Sequence, residues 1–92
     1  SEEEALAVAN DSEYGLSAAV YSRDSARAWN VAQRLQTGIC HINGPTVHDE
    51  AQMPFGGCKA SGYGRFGGRA GIAEFTELRW ITIQTQPREL PF

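Results

Sequence analysis

Apolar residues fall along the 92-residue chain in short runs whose period changes several times, and each change marks an element. Over residues 2–9, Ala5, Leu6, Val8 and Ala9 give an apolar helical face behind Glu2, Glu3 and Glu4, acids that suit the positive end of a helix dipole. The helix begins with only Ser1 as a lead-in, which leads to the expectation that an upstream portion precedes this chain. Asn10-Asp11-Ser12 is turn chemistry, and residues 17–22 form an apolar run short enough for a buried strand. Asp24 or Ser22 can cap the next helix, over 25–36, where Ala28, Val31, Ala32 and Leu35 share one face and Gly38 supplies the stop. Residues 38–43 alternate, with β-branched Ile39 and Ile42, and read as a second strand. Strand, helix and strand joined this closely predict a right-handed crossover with parallel strands, hence an α/β fold.

From Gly44 to Gly68 the periodicity lapses into a long loop, a feature compact domains keep mainly where a site needs it. Six of the ten glycines lie between Gly56 and Gly68, which allows close approach of backbone to a neighbour. A short helix over 71–77 and a strand over 78–84 complete the pattern. On that strand Leu78, Trp80 and Thr82 face one way and Ile81 and Ile83 the other, so both faces require cover. Pro87 and Pro91 end regular pairing.

Length limits the chain to one small domain or a piece of a larger one, since a comfortable core usually takes about 100 to 150 residues. No apolar run approaches the roughly 20 residues of a membrane span, and an acidic start is unlike a secretory or transit signal. A net charge of -3 disfavours a nucleic-acid partner. Two cysteines, Cys40 and Cys58, do not make a disulfide framework and read as reduced thiols in a cytoplasmic setting.

Four local constellations carry candidate chemistry. Gly62-Tyr63-Gly64-Arg65-Phe66-Gly67 fits the G-x-G-x-x-G dinucleotide pattern, but no strand directly precedes it, and a structural turn is the favoured reading. Lys59, Arg65 and Arg69 interleaved with Tyr63 and Phe66 resemble a stacking and phosphate-binding patch; glycine-flanked basic residues more often pin loops through carbonyls and carboxylates. Cys40, His41, His48 and Cys58 have metal-binding chemistry, yet Cys40 and His41 point to opposite faces of a strand, so no metal site is expected. Cys58 with His48 lacks any feature that secures nucleophile-to-base geometry.

Three stretches together resemble the C-terminal end of the aldehyde dehydrogenase superfamily. Asn10 to Val20 is similar to the family's N-x-x-x-Y-G-L motif and the strand after it, and Gly38 to Asn43 to its strand ending in Ile/Val-Asn. The most specific is Pro54-Phe55-Gly56-Gly57-Cys58-Lys59-Ala60-Ser61-Gly62-Tyr63-Gly64-Arg65, which matches PFGG-x-K-x-SG-x-GR. Phe66-Gly67-Gly68 departs from the family's common glutamate at that point, and with the Gln-Thr-Gln-Pro-Arg ending is similar to bacterial dehydrogenases of the salicylaldehyde, vanillin and benzaldehyde type.

The resemblance implies NAD- or NADP-dependent oxidation of an aromatic aldehyde, in which a cysteine thiolate attacks the carbonyl, hydride leaves to nicotinamide and a glutamate-activated water releases the acid. Nucleophile, base and cofactor fold would all lie upstream of Ser1, so no catalytic or cofactor residue is assigned here and the chain alone is expected to be inactive. Carried over as substrate-binding are Asn43, Gly44, Thr46 and Val47, as a pocket-lining turn, and Phe55, as an aromatic wall. Lys59 and Arg65 would fasten the glycine loop, Glu77 would pair with Arg65 near a subunit contact, and Leu78, Trp80, Ile81 and Ile83 would form an oligomerisation strand. The implied organisation is the end of a catalytic domain over 1–77 and an oligomerisation strand with its tail over 78–92, with a second copy as partner. Two other readings stand beside it: a non-enzymatic self-association module, and a small protein binding an aromatic ligand.

Overall fold

A computed structural model describes residues 1–86; the expected ending around Pro87 and Pro91 lies outside the described residues. Three helices and four short strands run in the order α1 (Glu2–Asn10), β1 (Tyr14–Gly15), β2 (Ser17–Val20), α2 (Ser25–Arg34), β3 (Ile39–Ile42), β4 (Cys58–Lys59) and α3 (Gly68–Glu74). β2 and β3 pair in parallel with Ala18 opposite Cys40 and Ala19 opposite His41, and α2 is the connection between them. β1 pairs antiparallel with β4, Gly15 opposite Cys58. The chain thus changes partner at Gly15 and Leu16, whose carbonyls accept from Gly38 N and Ile39 N at 3.1 and 3.0 Å.

The helix starts follow from capping. Ser1 Oγ accepts from Glu4 N at 3.2 Å, and Asp24 accepts from Arg27 N at 3.1 Å. Ser22 serves the second cap indirectly, its Oγ accepting from Asp24 N at 3.0 Å. Leu6 and Ala28, one from each of the first two helices, are the buried apolar residues. Between the two helices Arg27 pairs with Glu2 at 2.8 Å and Arg34 with Glu3, which lowers the Glu3 carboxyl below its ordinary range through the Arg34 hydrogen bond. Both pairs are exposed, and such pairs add little net stability.

Asn10 joins more elements than any charge pair. Its Nδ2 donates to Arg34 O and its Oδ1 accepts from Gln36 N, both at 2.9 Å, so one amide satisfies the end of α2. Its own carbonyl accepts from Lys59 Nζ at 2.9 Å, and Ser12 O accepts from the same ammonium at 3.0 Å. That positive charge sits at the C-terminal end of α1, where the helix dipole favours it.

Two expectations are corrected. The third helix spans Gly68–Glu74 rather than 71–77, because Gly71 N already bonds Gly67 O at 3.0 Å and Thr76 Oγ1 turns back onto Ile72 O at 3.0 Å. Residues 78–84 form no strand among the described residues: a strand exists only through a ladder, and the described residues offer it no partner. Leu78 and Trp80 stand 105% and 90% exposed, and the chain extends over 67 × 31 × 27 Å. Its Cα radius of gyration is 20.6 Å, where a compact domain of this length has about 12 Å.

Replacing Asn10 by Ala removes two hydrogen bonds and leaves Arg34 O and Gln36 N to water, so stability should fall by about 1–2 kcal/mol. Urea unfolding monitored by circular dichroism measures it, and Asn10→Asp, which keeps only the acceptor, should fall between the two.

Candidate functional site

β3 and the loop after it enclose a cleft of ≈ 460 Å³. Ile39, Met53, Pro54 and Phe55 provide its apolar lining, and His41, His48, Asp49 and Glu50 its polar one. The loop is held shut from behind by backbone contacts. Phe55 and Phe66 bond each other in both directions at 2.7 Å, Met53 N closes a turn on Glu50 O at 2.9 Å, and Gly68 N reaches Ala51 O at 3.0 Å.

Glycine is required at two of these contacts. A Cβ on Gly38 would lie 1.9 Å from Gly56 O, so β3 and the Pro54–Phe55 turn come together only because residue 38 has none. Gly67 combines φ +88° with a would-be Cβ contact of 2.2 Å to Met53 O, which bars any side chain on both counts.

Arg65 works behind the cleft. Its Nη1 donates to Gly57 O at 2.8 Å and Gly64 O at 2.7 Å, its Nη2 lies 3.9 Å from Cys58 Sγ, and its backbone N donates to Glu74 Oε1 at 3.1 Å. The carboxylate facing Arg65 is therefore Glu74, and the expected pair with Glu77 is not formed among the described residues. One turn of helix earlier, Glu74 folds back over the glycine loop, whereas Glu77 lies beyond the end of α3 and is exposed. Lys59 and Arg65 both end on backbone carbonyls, which leaves little of the basic and aromatic patch free for phosphate.

The glycine loop does not fit a dinucleotide. A Cβ on Gly64 would meet the Glu74 carboxylate at 2.6 Å, so the concavity is filled from within by a negative charge that repels pyrophosphate. β4, the strand before the loop, has two residues and is separated from α3 by eight, unlike a strand that turns directly into a helix.

Of the residues assigned to substrate binding, Phe55 lines the cleft and the other four do not. Asn43, at φ 59°, spends its amide on Ser22, accepting from Ser22 N at 2.9 Å and donating to Ser22 O at 3.1 Å, and so locks the open ends of β2 and β3. Gly44 continues that turn beside His41, Thr46 O accepts from Ser17 Oγ at 2.9 Å, and Val47 is 91% exposed. The sequence reading missed the imidazole pair: the His41 and His48 rings stack with centroids 5.0 Å apart at 38°, and His48 Nε2 lies 3.7 Å from Glu50 Oε2. No period or motif in the sequence signals it. Among the described residues no three His, Cys, Asp or Glu side chains gather as metal ligands, and Cys58, on β4, does not share the cleft with His48.

This cleft behind a PFGG turn can be set beside known proteins. The sequence profile of the Aldehyde dehydrogenase family matches residues 1–81. The chain belongs to the aldehyde dehydrogenase family. It is 69% identical over 90 residues to a vanillin dehydrogenase of Pseudomonas sp. (strain HR199 / DSM 7063), covering 98% of this chain and 19% of that protein. It superposes on a salicylaldehyde dehydrogenase from Pseudomonas putida G7 complexed with salicylaldehyde with TM-score 0.92 and 54% identity, over 100% of this chain and 19% of that one. A Mycobacterium tuberculosis aldehyde dehydrogenase complexed with NAD+ matches with TM-score 0.78 and 40% identity, over 84% of this chain and 16% of that one. The chain thus spans about a fifth of the length of these aldehyde dehydrogenases, 19% of the vanillin enzyme.

Cys40, on β3 at the cleft, is the free thiol whose ionisation the fold opposes, burial pushing its pKa up. A raised thiol pKa means less thiolate at any given neutral pH, so Cys40 should alkylate with iodoacetamide more slowly in the folded chain than in urea. Peptide mass spectrometry of timed aliquots gives both rates; equal rates would show that β3 does not shield it.

Proposed function

We propose that this chain is the C-terminal part of an NAD- or NADP-dependent dehydrogenase that oxidises aromatic aldehydes to carboxylic acids, and that it supplies one wall of the aldehyde pocket and a subunit contact. The observation that carries this is Phe55, held at an apolar cleft by the Phe66 bridge, in a chain 69% identical to part of a vanillin dehydrogenase. A flat apolar wall favours an aryl group over a short alkyl one, because burying a ring gains roughly 1.5–3 kcal/mol. Val47 and Thr46 directly precede His48 of the cleft, and with Asn43 and Gly44 form the turn against which the remainder of the enzyme closes the pocket. The cysteine nucleophile, the glutamate base and the nicotinamide site are assigned to that remainder, upstream of Ser1, as the family resemblance implies, and the Glu74 carboxylate filling the glycine loop supports this for the nicotinamide nucleotide. By itself the chain is inactive. In the cell it works in the cytoplasm with Cys40 and Cys58 as thiols.

Residues 1–77 then end the catalytic domain, and 78–92 reach a second copy. Leu78, Trp80, Ile81 and Ile83 are apolar on alternating sides and exposed, which is the condition of a strand whose partner lies on another subunit. Glu77 opens that segment and is assigned to the same contact. A purely self-associating module accounts for this segment but not for the cleft.

Expression of the complete enzyme and measurement of NAD+ and NADP+ reduction should give a kcat/KM for benzaldehyde about tenfold or more above that for acetaldehyde, and Phe55→Ala should erase most of that ratio. No oxidation of any aryl aldehyde would overturn the reading, as would turnover by the 92-residue chain alone. In the same enzyme, Ile81→Lys with Ile83→Lys should lower the mass measured by light scattering, and an unchanged assembly would remove the role given to 78–84.

A further inference from the structure

Phe55 and Phe66 face each other across an isolated antiparallel bridge, the backbone N of each donating to the carbonyl of the other at 2.7 Å. Residues that exchange bonds in this way lie directly opposite, and their side chains leave the same face of the ladder with Cβ atoms roughly 5 Å apart. Two phenyl groups rooted that close exclude each other from the space between them, so their rings have to part. Phe55 lines the cleft and is half-buried. Phe66 does not line the cleft and is 62% exposed.

Residue 66 has little freedom to yield to its neighbour. Arg65 before it is fastened through its guanidinium at Gly57 O and Gly64 O and through its backbone N at Glu74 Oε1. Gly67 after it stands at φ +88°, its Cα turned onto Met53 O with no room for a side chain. The backbone is thus pinned on both sides of an aromatic residue whose surface is mostly open. Tyr63, three residues earlier, is an instructive contrast: at 102% exposure it lies at the tip of the same loop and faces no residue across a bridge.

Resting on the aromatic-aldehyde reading above, we infer that Phe66 is a positioning residue for the aldehyde pocket, its ring barring Phe55 from turning out of the cleft. A side chain has only a few staggered positions, and a neighbour that occupies one of them fixes the choice among the rest. A binding surface is only as exact as the packing that locks its side chains. Phe66 therefore acts through Phe55 and makes no contact with substrate of its own. If Phe66 served only to pack against the remainder of the enzyme, its loss would weaken the fold and slow every aldehyde alike.

The complete enzyme is assayed with benzaldehyde and acetaldehyde, and the ratio of their kcat/KM values is followed through a double-mutant cycle. Phe66→Ala should lower the ratio about threefold or more, chiefly through a higher KM for benzaldehyde, whereas Phe66→Tyr, which keeps the ring, should retain it. Phe55→Ala combined with Phe66→Ala should show the same ratio as Phe55→Ala alone, since no ring is left to hold. Tyr63→Ala should leave the ratio in place. A ratio unchanged by Phe66→Ala, equal slowing of both aldehydes, or the same fold-loss from Phe66→Ala with and without Phe55 overturns the inference while the aromatic reading stands. A loss in Tyr63→Ala as large as that in Phe66→Ala assigns the effect to the whole loop and overturns it too. Wild-type enzyme without aryl preference, or a preference that survives Phe55→Ala, defeats the reading of Phe55 as the wall and this inference with it. Should Phe66→Ala not fold, Phe66→Val, apolar but shorter than a ring, is carried through the same cycle against the same outcomes.

Discussion

The arrangement of the whole chain hangs on the amide of Asn10. Helix ends leave carbonyls without partners, and two helices that end near one another must find donors for both. Here a single side chain closes the end of α2 through Arg34 O and Gln36 N, while the backbone carbonyl of the same residue receives Lys59. Lys59 belongs to β4, and β4 is what β1 pairs with, so the position of the glycine loop is transmitted from the helices through one asparagine and one lysine. The lysine itself takes a positive φ of 55°, which it can sustain because its ammonium is anchored at two carbonyls.

That anchoring explains why so small a core suffices to place the cleft. Leu6 and Ala28 are the buried apolar side chains, far too little to order a chain of this length by burial alone. What takes its place is backbone meeting backbone at distances that only glycine permits, Gly38 against Gly56 and Gly67 against Met53, each fixing one side of the Pro54–Phe55 turn. The large apolar side chains are left outside, Trp80, Ile83 and Tyr63 among them. A surface of this kind is stable only when other protein covers it, which agrees with a chain matching about a fifth of the vanillin enzyme's length, 19%.

Local physics was legible in the sequence wherever both partners of an interaction were in the chain. The period of Ala28, Val31 and Ala32 located α2, and the alternating Ile39 and Ile42 located β3, because helix and parallel neighbour are both present to reward those patterns. The 78–84 segment has an equally clear alternation and no partner among the described residues, so the pattern is real and the strand is not formed there. α3 shifted by three residues for a different reason: positive φ at Gly67 and Gly68 lets the helix begin inside what reads as loop, and no periodicity reports a backbone angle. Arg65 illustrates the same limit, since charge patterning offers Glu74 and Glu77 as equals and only the reversal of the chain at Gly64 chooses between them.

The site divides along the same line. Phe55 could be found because it sits inside a motif whose glycines demand a turn, and a residue beside a demanded turn is displayed by it. His48 lies in the stretch between Asn43 and Pro54, where neither period nor motif constrains the chain, and nothing in the sequence says that residue 48 returns to within stacking distance of residue 41. Hydrophobic contact is non-directional, so an apolar lining such as Met53, Pro54 and Phe55 does not by itself distinguish groups of similar size. The polar groups of the cleft that do have direction, His48, Asp49 and Glu50, lie in the irregular segment. The motif therefore makes the Phe55 side of the cleft legible, while the unpatterned loop that supplies its polar side is not.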